Sequence, residues 1–461
     1  MKQKLFFLIT ILLISTNYIQ SQTGCWKTFS VSSSHTLAIK NDGTLWAWGS
    51  GAYGQLGNGI SNQISYVPIQ IGTDTNWAKV YTSSLTCFAI KENGSLWAWG
   101  NNLGGQYGNG TTTQSFVPIQ IGNEYDWKMI ASNSFCTIGI KTNGTMWGWG
   151  QSDYGLLGNG TGQDSFVPIQ IGTSTNWKQV SAGTYHCLAI QNNGSLWAWG
   201  YNQGCFGNGT VMSSQIPIQI GTQTNWLEVS GGNAFTTAIK TDGSLWVAGT
   251  NSSGEHGNGT NEGYSNTFLR IGTANNWSKV YSGWASILAI KNNGTLWAWG
   301  TNFSGNLGIG TNSNAYTPTQ VGTSNQWKMA SIYSSNSGGI QNNGNLHMTG
   351  ENGIGQNGNG TNQDNNTPTE VTCPESLSNS NAPTDNLFVI YPNPATNWLY
   401  LKNHYNETIK KIVIYDTLGN IVLENSGNQT KIKIDYIATG VYLLKITTDT
   451  NKQEIFRFLK Q

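Results

Sequence analysis

The side chains best able to perform chemistry are few and scattered. The chain has five histidines (35, 186, 256, 347 and 404) and six cysteines. Between Cys25 and Cys373 it has 14 acidic and 12 basic residues, with no acidic pair at a recurring spacing. General acid–base catalysis needs positioned titratable groups, and this pattern supplies no such pair. A Gly-x-Ser-x-Gly elbow and a P-loop are also missing. We therefore expect neither an enzyme nor a cofactor or metal site.

The composition indicates an ordered, turn-rich β protein. Of 461 residues, 58 are glycine and 20 are tryptophan, while charged residues make up only 10% and the net charge is +1. A nearly neutral chain has no electrostatic signature for nucleic acid or an anionic membrane. The frequent Gly and Asn punctuation disfavours long helices, and the aromatic share of 11% is enough to form a core.

One unit of about 50 residues accounts for most of the chain. Trp46-Ala47-Trp48-Gly49 recurs six more times, twice in degenerate form, at spacings of 49–51 residues. A second tryptophan opens each unit, at positions 26, 77, 127, 177, 226, 277 and 327. In the second unit, residues 77–81, 87–91, 95–99 and 117–121 are predicted strands, and Asn93-Gly94 predicts a tight hairpin. Seven units of four short strands favour an all-β, seven-bladed propeller over a solenoid, because a solenoid needs polar caps.

Repetition also decides how single residues are interpreted. His35 and His186 hold one place in their units, where other units have Thr86, Cys136 or Phe235, so this place is not a metal shell. Eighteen tryptophans keep the repeat register and are predicted core, whereas Trp284 and Trp398 lie outside it. The Gly-Asn-Gly loops recur once per unit almost throughout, which favours structural turns over nucleotide cradles.

The repeat resembles that of the regulator of chromosome condensation family. The resemblance rests on Ser34 to Ile39, Asn41 to Trp46, Trp48-Gly49 and Gly54 to Gly57, and on their later copies. It covers Trp26 to about Val371 and implies a seven-bladed propeller with four-stranded blades. Kelch propellers share the period, but their paired glycines at a strand end do not recur here.

The last 75 residues, 387–461, form a second module. Five alternating runs predict strands at residues 411–415, 420–423, 431–434, 441–447 and 454–459, which suggests a small Ig-like β-sandwich. Tyr391-Pro392-Asn393-Pro394 and the run from Gly440 through Tyr442 resemble the C-terminal sorting domain of the type IX secretion system. This resemblance implies the type IX machinery as a partner, and secretion or surface attachment through the periplasm of a Gram-negative bacterium.

The N-terminal segment predicts a signal peptide over residues 1–21. Lys2 and Lys4 precede an apolar run from Leu5 to Ile14, and a polar stretch follows. A lipoprotein anchor at Cys25 is the rival interpretation, but the expected apolar residue before the cysteine is absent. The resulting domain prediction is a propeller over 22–373, a linker over 374–386 and the sorting domain over 387–461, with no membrane-spanning segment in the mature chain.

Cys25 and Cys373 are predicted to form a disulfide that closes the ring. Cys25 takes the place of Asn76 in the next unit, and Cys373 takes that of Thr73. These places are three residues apart in an uninterrupted copy, where Cα atoms lie within about 7 Å. An exported protein permits the bond. Cys87, Cys136, Cys187 and Cys205 have no such argument and stay undecided.

The loop after each opening strand is the predicted contact surface. Its residues vary between units while the flanking strands repeat, as expected where packing does not dictate the residue. The candidate contact residues are His35, Leu85, Phe135, Tyr185, His186, Phe235 and Trp284. They suit an uncharged aromatic crown for an extracellular protein or glycan, or alternatively a plug for the channel. A non-catalytic binding scaffold is favoured, with guanine-nucleotide exchange, the activity of the family's namesake, or inhibition of a secreted enzyme as alternatives.

Overall fold

The chain forms two compact units, Met1–Glu375 and Ser376–Gln461. Our structure is a computed structural model that describes residues 24–374, 387–392, 395–403, 407–416, 421–450 and 452–460. The predicted signal peptide and most of the predicted linker lie outside these residues.

The first unit is all β, with seven four-stranded antiparallel sheets, each built from one continuous stretch of chain. We call the four strands of each blade opening, second, third and outer. The opening strands are Trp26–Val31, Trp77–Thr82, Trp127–Ser132, Trp177–Ala182, Trp226–Gly231, Trp277–Ser282 and Trp327–Ile332. The second strands are His35–Lys40, Thr86–Lys91, Cys136–Lys141, His186–Gln191, Phe235–Lys240, Ser286–Lys291 and Asn336–Gln341. The third strands are Leu45–Ser50, Leu96–Gly100, Met146–Gly150, Leu196–Gly200, Leu245–Thr250, Leu296–Gly300 and Leu346–Gly350. The outer strands are Ile64–Ile71, Ser115–Ile121, Ser165–Gln170, Ser214–Gln219, Tyr264–Arg270, Ala315–Gln320 and Asn365–Glu370. One 3-10 turn occurs among the described residues of this unit: Asp153–Gly155, in the connection between the third and outer strands of the third blade.

The seven blades close into a ring around the opening strands. Each opening strand contacts the opening strands of both neighbours, including the first and the seventh. At every joint the backbone N–H of the opening tryptophan donates to the glycine of the neighbouring hairpin turn. At the closing joint, Trp26 N–H donates to the Gly344 carbonyl at 3.1 Å. The structure is therefore a propeller, and the solenoid alternative is wrong.

A second backbone bond at each joint explains the Gly-Asn-Gly loops. The second glycine of each loop donates its N–H to the outer strand of the next blade, as Gly59 does to the Phe116 carbonyl at 2.8 Å. Gly360 makes the same bond to Tyr66 across the closing joint, also at 2.8 Å. Gly59 adopts φ 83°, a left-handed conformation that glycine reaches without steric cost. These loops are structural turns, as predicted.

The second tryptophan of the Trp-Ala-Trp-Gly motif links neighbouring blades through its side chain. Trp99 is fully buried, and its Nε1 donates to the Gln55 carbonyl of the preceding blade at 2.9 Å. Trp48 makes the same bond to Gln356 across the closing joint, at 2.9 Å. In the fifth blade Ala248 stands at this place, and Phe268 fills the space beside it and packs on Trp226 at 4.8 Å.

The first tryptophan of the motif forms a sandwich with the opening tryptophan and a lysine. In the second blade Trp77 and Trp97 meet edge-on at 5.6 Å, and the Lys91 ammonium lies over both rings at 4.6 and 4.0 Å. Lys91 also pairs with Asp74 at 2.6 Å. Five blades have a stacked lysine in this place: Lys40, Lys91, Lys141, Lys240 and Lys291. Desolvated ammonium–aromatic contacts of this kind contribute about 1–2 kcal/mol each.

Cys25 and Cys373 form the predicted disulfide, with their Cα atoms 5.9 Å apart. The bond joins two residues separated by 348 positions. It provides the covalent connection between the first and seventh blades, where the chain itself does not pass.

The second unit holds two antiparallel sheets, as expected for a small Ig-like sandwich. One has three strands and the other has four. The strands are Phe388–Tyr391, Trp398–Asn403, Ile409–Tyr415, Ile421–Ser426, Lys431–Lys433, Gly440–Thr448 and Gln453–Lys460. Both sheets contribute to one apolar core, represented by Leu399, Ile412 and Phe458. The first two strands were missed; Phe388–Tyr391 is a short apolar run before Pro392 without a clear alternation.

Candidate binding surface at the channel mouth

The loops that follow the opening strands surround a cavity at one end of the central channel. Its volume is about 440 Å³, and it is lined by residues from every blade. Hydroxyl and amide side chains supply most of the polar lining, including Ser30, Thr82, Ser132 and Asn133. No lining residue carries a charge. We call this cavity and its surrounding loops the mouth.

Aromatic side chains stand on the blade 3 to blade 7 side of the mouth. Trp284 is 55% exposed and Tyr185 is 37% exposed, and both line the cavity with Phe135 and Tyr333. Phe135 stacks on Tyr185 with ring centroids 6.1 Å apart. An exposed indole and a phenol beside hydroxyl groups can stack on a sugar ring or bury an apolar side chain.

Hydrogen bonds to backbone carbonyls hold these loops in a fixed arrangement. Asn133 Nδ2 donates to the Gly183 carbonyl at 2.8 Å, and Thr184 N–H donates to Gly232 at 3.1 Å. Trp284 then accepts from Asn233 N–H at 3.1 Å and donates its own N–H to Tyr333 at 2.7 Å. The arc from blade 3 to blade 7 is therefore preorganised, which reduces the ordering cost of binding.

Repeat family models match most of this unit in sequence. A regulator of chromosome condensation (RCC1) repeat matches residues 42–90, 93–139, 143–190 and 293–337, and a second RCC1 repeat model matches 26–55 and 177–209. The propeller belongs to the RCC1 repeat family. A secretion system C-terminal sorting domain matches residues 389–460.

Solved structures confirm the fold of the RCC1 propeller. Human WBSCR16 superposes with a TM-score of 0.65 at 17% identity, covering 72% of this chain and 94% of that one. Prp20p from Saccharomyces cerevisiae gives 0.66 at 19% identity, covering 74% and 89%. These identities support the architecture only.

Curated relatives match short segments of the RCC1 propeller. The human E3 ubiquitin-protein ligase HERC2 is 37% identical over 79 residues, which are 17% of this chain and 2% of HERC2. The ultraviolet-B receptor UVR8 of Arabidopsis thaliana is 31% identical over 98 residues, 21% of each chain. The matched segments thus span only a small part of these relatives.

Three of the candidate contact residues do not reach the mouth of the RCC1 propeller. His35, His186 and Phe235 are fully buried, so their predicted contact role is wrong. Each is the first residue of a second strand, and its side chain faces the joint with the next blade. His35 Nε2 lies 3.0 Å from Cys87 Sγ, and His186 Nε2 lies 3.0 Å from Thr236 Oγ1. Leu85 is half-buried and does not line the cavity.

Burial makes these joint residues chemically inert. Desolvation lowers the pKa of His35 to about 3 and that of His186 to about 4, so both are neutral near pH 7. The same effect raises the pKa of the Cys87 thiol well above its usual value. Cys87, Cys136, Cys187 and Cys205 are buried free thiols. A buried, inaccessible thiol is a poor nucleophile, so these cysteines act as core residues.

Two tyrosines beside the mouth were missed by sequence reasoning. Tyr154 is 55% exposed and contacts Tyr185 edge-on at 6.2 Å and Tyr201 at 4.7 Å. Its φ of 58° is left-handed, a conformation that costs a non-glycine residue of order 1 kcal/mol or more. Tyr154 and Tyr201 lie in the connection between third and outer strands, which returns to the same end of the blade. Because this connection lies at the same end of each blade as the loop after the opening strand, the sequence could have indicated that its aromatic residues lie beside the mouth.

The sorting domain places its described motif residues at the core and edge. Tyr442 is buried, donates its hydroxyl to the Ala438 carbonyl at 2.8 Å and stacks on Phe458 at 5.7 Å. Gly440 begins the strand that carries it, and Tyr391, followed by Pro392, stacks on Tyr400 at 5.6 Å. Asn393 and Pro394 lie outside the described residues.

Across the described ranges, no three His, Cys, Asp or Glu side chains come together as a metal site would require. Likewise, in the part of the chain that the structure covers, no helix is both long and apolar enough to cross a membrane.

Proposed function

We propose that this protein is an exported, non-catalytic binding propeller that captures an extracellular partner at the mouth. The observation that carries the proposal is the uncharged cavity of about 440 Å³ flanked by the exposed rings of Trp284 and Tyr185. Large aromatic side chains are costly to leave in water and are enriched among residues that dominate binding energy. Their loops are fixed by hydrogen bonds, so exposure here is not a consequence of mobility.

Two further observations support recognition rather than channel plugging. Trp284 is more than half exposed, whereas a plug would be buried by the residues around it. The left-handed Tyr154 holds an aromatic ring at the surface beside Tyr185, and such strain is commonly retained where it serves function. The yeast propeller Prp20p, of the same fold, is described with its binding properties to Gsp1p and histones. This fold can therefore present a protein-binding surface.

A double variant, Trp284→Ala with Tyr185→Ala, tests the mouth. Capture of partners from the native secretome should fall at least tenfold, while the melting temperature changes by less than about 2 °C because both rings are exposed. The control is Tyr125→Ala, which removes an exposed ring from the connection between an outer strand and the next opening strand, at the other end of the propeller. Loss of stability without loss of capture would favour a plug, and equal loss in the control would refute a role for the mouth.

Export follows from the sorting domain, which indicates secretion or surface display by the type IX machinery. We infer passage through the periplasm, supported by the predicted signal peptide at 1–21. A chain lacking residues 387–461 should then accumulate in the periplasm as a folded propeller. The measurement is cell fractionation with immunodetection, and normal yield of the truncated chain in the medium would contradict the route.

A further inference from the structure

Half of the propeller's basic residues lie at the end of the channel opposite the mouth. Six of its seven blades place one lysine at the second or third residue of the opening strand. These residues are Lys27, Lys79, Lys128, Lys178, Lys279 and Lys328. We call them the lysine ring. Opening strands line the axis and are six residues long, so the ring lies roughly 16 Å from the mouth loops, at about 3.3 Å per residue.

The ring lysines are close neighbours across the joints. Lys279 Nζ donates to the Lys328 carbonyl of the next blade at 2.8 Å, and Lys79 Nζ donates to the Lys128 carbonyl in the same way. Burial and the nearby Lys128 charge both lower the pKa of Lys79. Between blades 6 and 7 this end opens into a polar recess of about 370 Å³ that Lys279 and Lys328 line.

Few carboxylates neutralise this charge. The acidic residues farther from the axis are engaged by the stacked lysines, as Asp74 is by Lys91 at 2.6 Å and Glu124 by Lys141 at 2.7 Å. Glu92 approaches Lys27 at 3.8 Å. In the described part of the propeller, Lys128, Lys178 and Lys328 have no ion pair within 4.0 Å. The chain is thus nearly neutral overall and yet strongly cationic at one site.

The fifth blade is the one blade whose opening strand has no lysine. Its opening strand has Leu227, 37% exposed, and Glu228 where the other blades have lysine. Glu228 lies near the charges of Lys279 and Lys178. The ring therefore has one uncharged gap and one carboxylate beside it.

We propose that the lysine ring binds a compact, soluble oligoanion with clustered phosphate groups. Lysine ammoniums are flexible point charges that suit phosphate oxygens without demanding one planar geometry. Six lysines around a channel end make the electrostatic potential on the axis positive, so a compact anion there contacts several lysines at once. An extended polyanion would reach only part of the circle at a time.

Titration of the full chain with tripolyphosphate by calorimetry tests this site. Binding should weaken steeply as salt rises from 50 to about 200 mM, because several charge contacts are screened. Lys128→Gln, Lys178→Gln and Lys328→Gln together should weaken binding at least tenfold. The control removes three lysines from the sorting domain, Lys402→Gln, Lys411→Gln and Lys433→Gln, and matches the change in net charge. It should alter affinity less than twofold.

A gain-of-charge variant tests the ring from the other direction. Leu227→Lys completes the seventh place at an exposed position and should tighten tripolyphosphate binding at least twofold. Unchanged affinity in this variant, or equal weakening in the ring and control triples, would overturn the proposal. Binding to phosphatidylcholine vesicles containing phosphatidylglycerol, without binding to tripolyphosphate, would also overturn it, because the partner would then be a membrane surface.

Discussion

The closing joint between blades 1 and 7 uses contacts that recur at the joints that the chain itself connects. Trp26 N–H reaches Gly344, Gly360 N–H reaches Tyr66, and Trp48 Nε1 reaches Gln356, each with the geometry found elsewhere in the ring. What differs is the covalent connection. Six joints have a peptide linker, and the seventh has the Cys25–Cys373 disulfide.

Ring closure in this propeller needs no strand shared between the ends of the chain. Every blade is complete within its own repeat, so the noncovalent surface between blades 1 and 7 is an ordinary joint. An ordinary joint without a linker must bring its two surfaces together at an entropic cost. The disulfide already holds the two ends together in the unfolded chain, so less conformational entropy is lost when the ring closes.

Breaking the disulfide should therefore produce the largest effect. Cys25→Ser with Cys373→Ser should lower the free energy of unfolding by on the order of 5 kcal/mol, the chain-entropy value for a loop of this length. Denaturant unfolding followed by tryptophan fluorescence measures the loss. Reduction of the wild type should reproduce it, whereas reduction of the double variant should change nothing. A loss below about 1 kcal/mol would mean that the noncovalent joint closes the ring unaided.

Acidification should destabilise two of the joints that the chain connects and should leave the closing joint unaffected. His35 and His186 are neutral when folded, with pKa values of about 3 and 4, but take up protons near pH 6.5 when unfolded. The unfolded state then binds more protons below pH 6.5, so stability falls as pH falls. Between pH 7 and pH 5 the two residues together should lower the free energy of unfolding by about 4 kcal/mol.

Urea unfolding at both pH values measures this histidine contribution. The control is His35→Asn with His186→Asn, which should flatten the pH dependence by the same amount, whatever its stability at pH 7. An unaltered pH dependence in the double variant would show that other groups cause the acid sensitivity.

Two tryptophan variants compare the joints directly at a smaller scale. Trp99→Phe and Trp48→Phe each remove the indole donor from a buried carbonyl, which keeps only Cys87 or Thr36 as its side-chain partner, and each also removes buried ring volume. Each should lower the free energy of unfolding by about 2 kcal/mol. In the Cys25→Ser, Cys373→Ser background, the two losses should diverge. Trp48 then belongs to the only joint without a covalent link, so Trp48→Phe should open it locally. Hydrogen exchange at Trp26 and Gly360 reports that opening, and equal protection in both variants would contradict the distinction.

Sequence reasoning succeeded where repetition constrained the answer and failed where it did not. The Trp-Ala-Trp-Gly register predicted seven blades, the core tryptophans and the disulfide, because each place is specified seven times. Residues that differ from unit to unit, by contrast, do so for two reasons that a single sequence cannot separate. Trp284 varies because its place is exposed, whereas Phe235 varies because each joint packs a different pair of residues.

The lysine ring was invisible for a related reason. Four of its members occur at the second position of the opening strand and two at the third, next to the bulge that follows the first residue, as between Trp77 and Lys79. A strict alignment of repeats divides them into two incomplete columns. Only the closed geometry shows that six lysines share one end of the channel.

Because each blade is complete within its own repeat, the fold does not require the units to follow one another in this particular order. Cys25 and Cys373 hold places that lie three residues apart in every other copy, so a short peptide could replace the disulfide without moving a strand. New chain ends could then be opened in any surface loop between two blades. Circular permutants of this ring should fold, and units could be added or exchanged as whole cassettes.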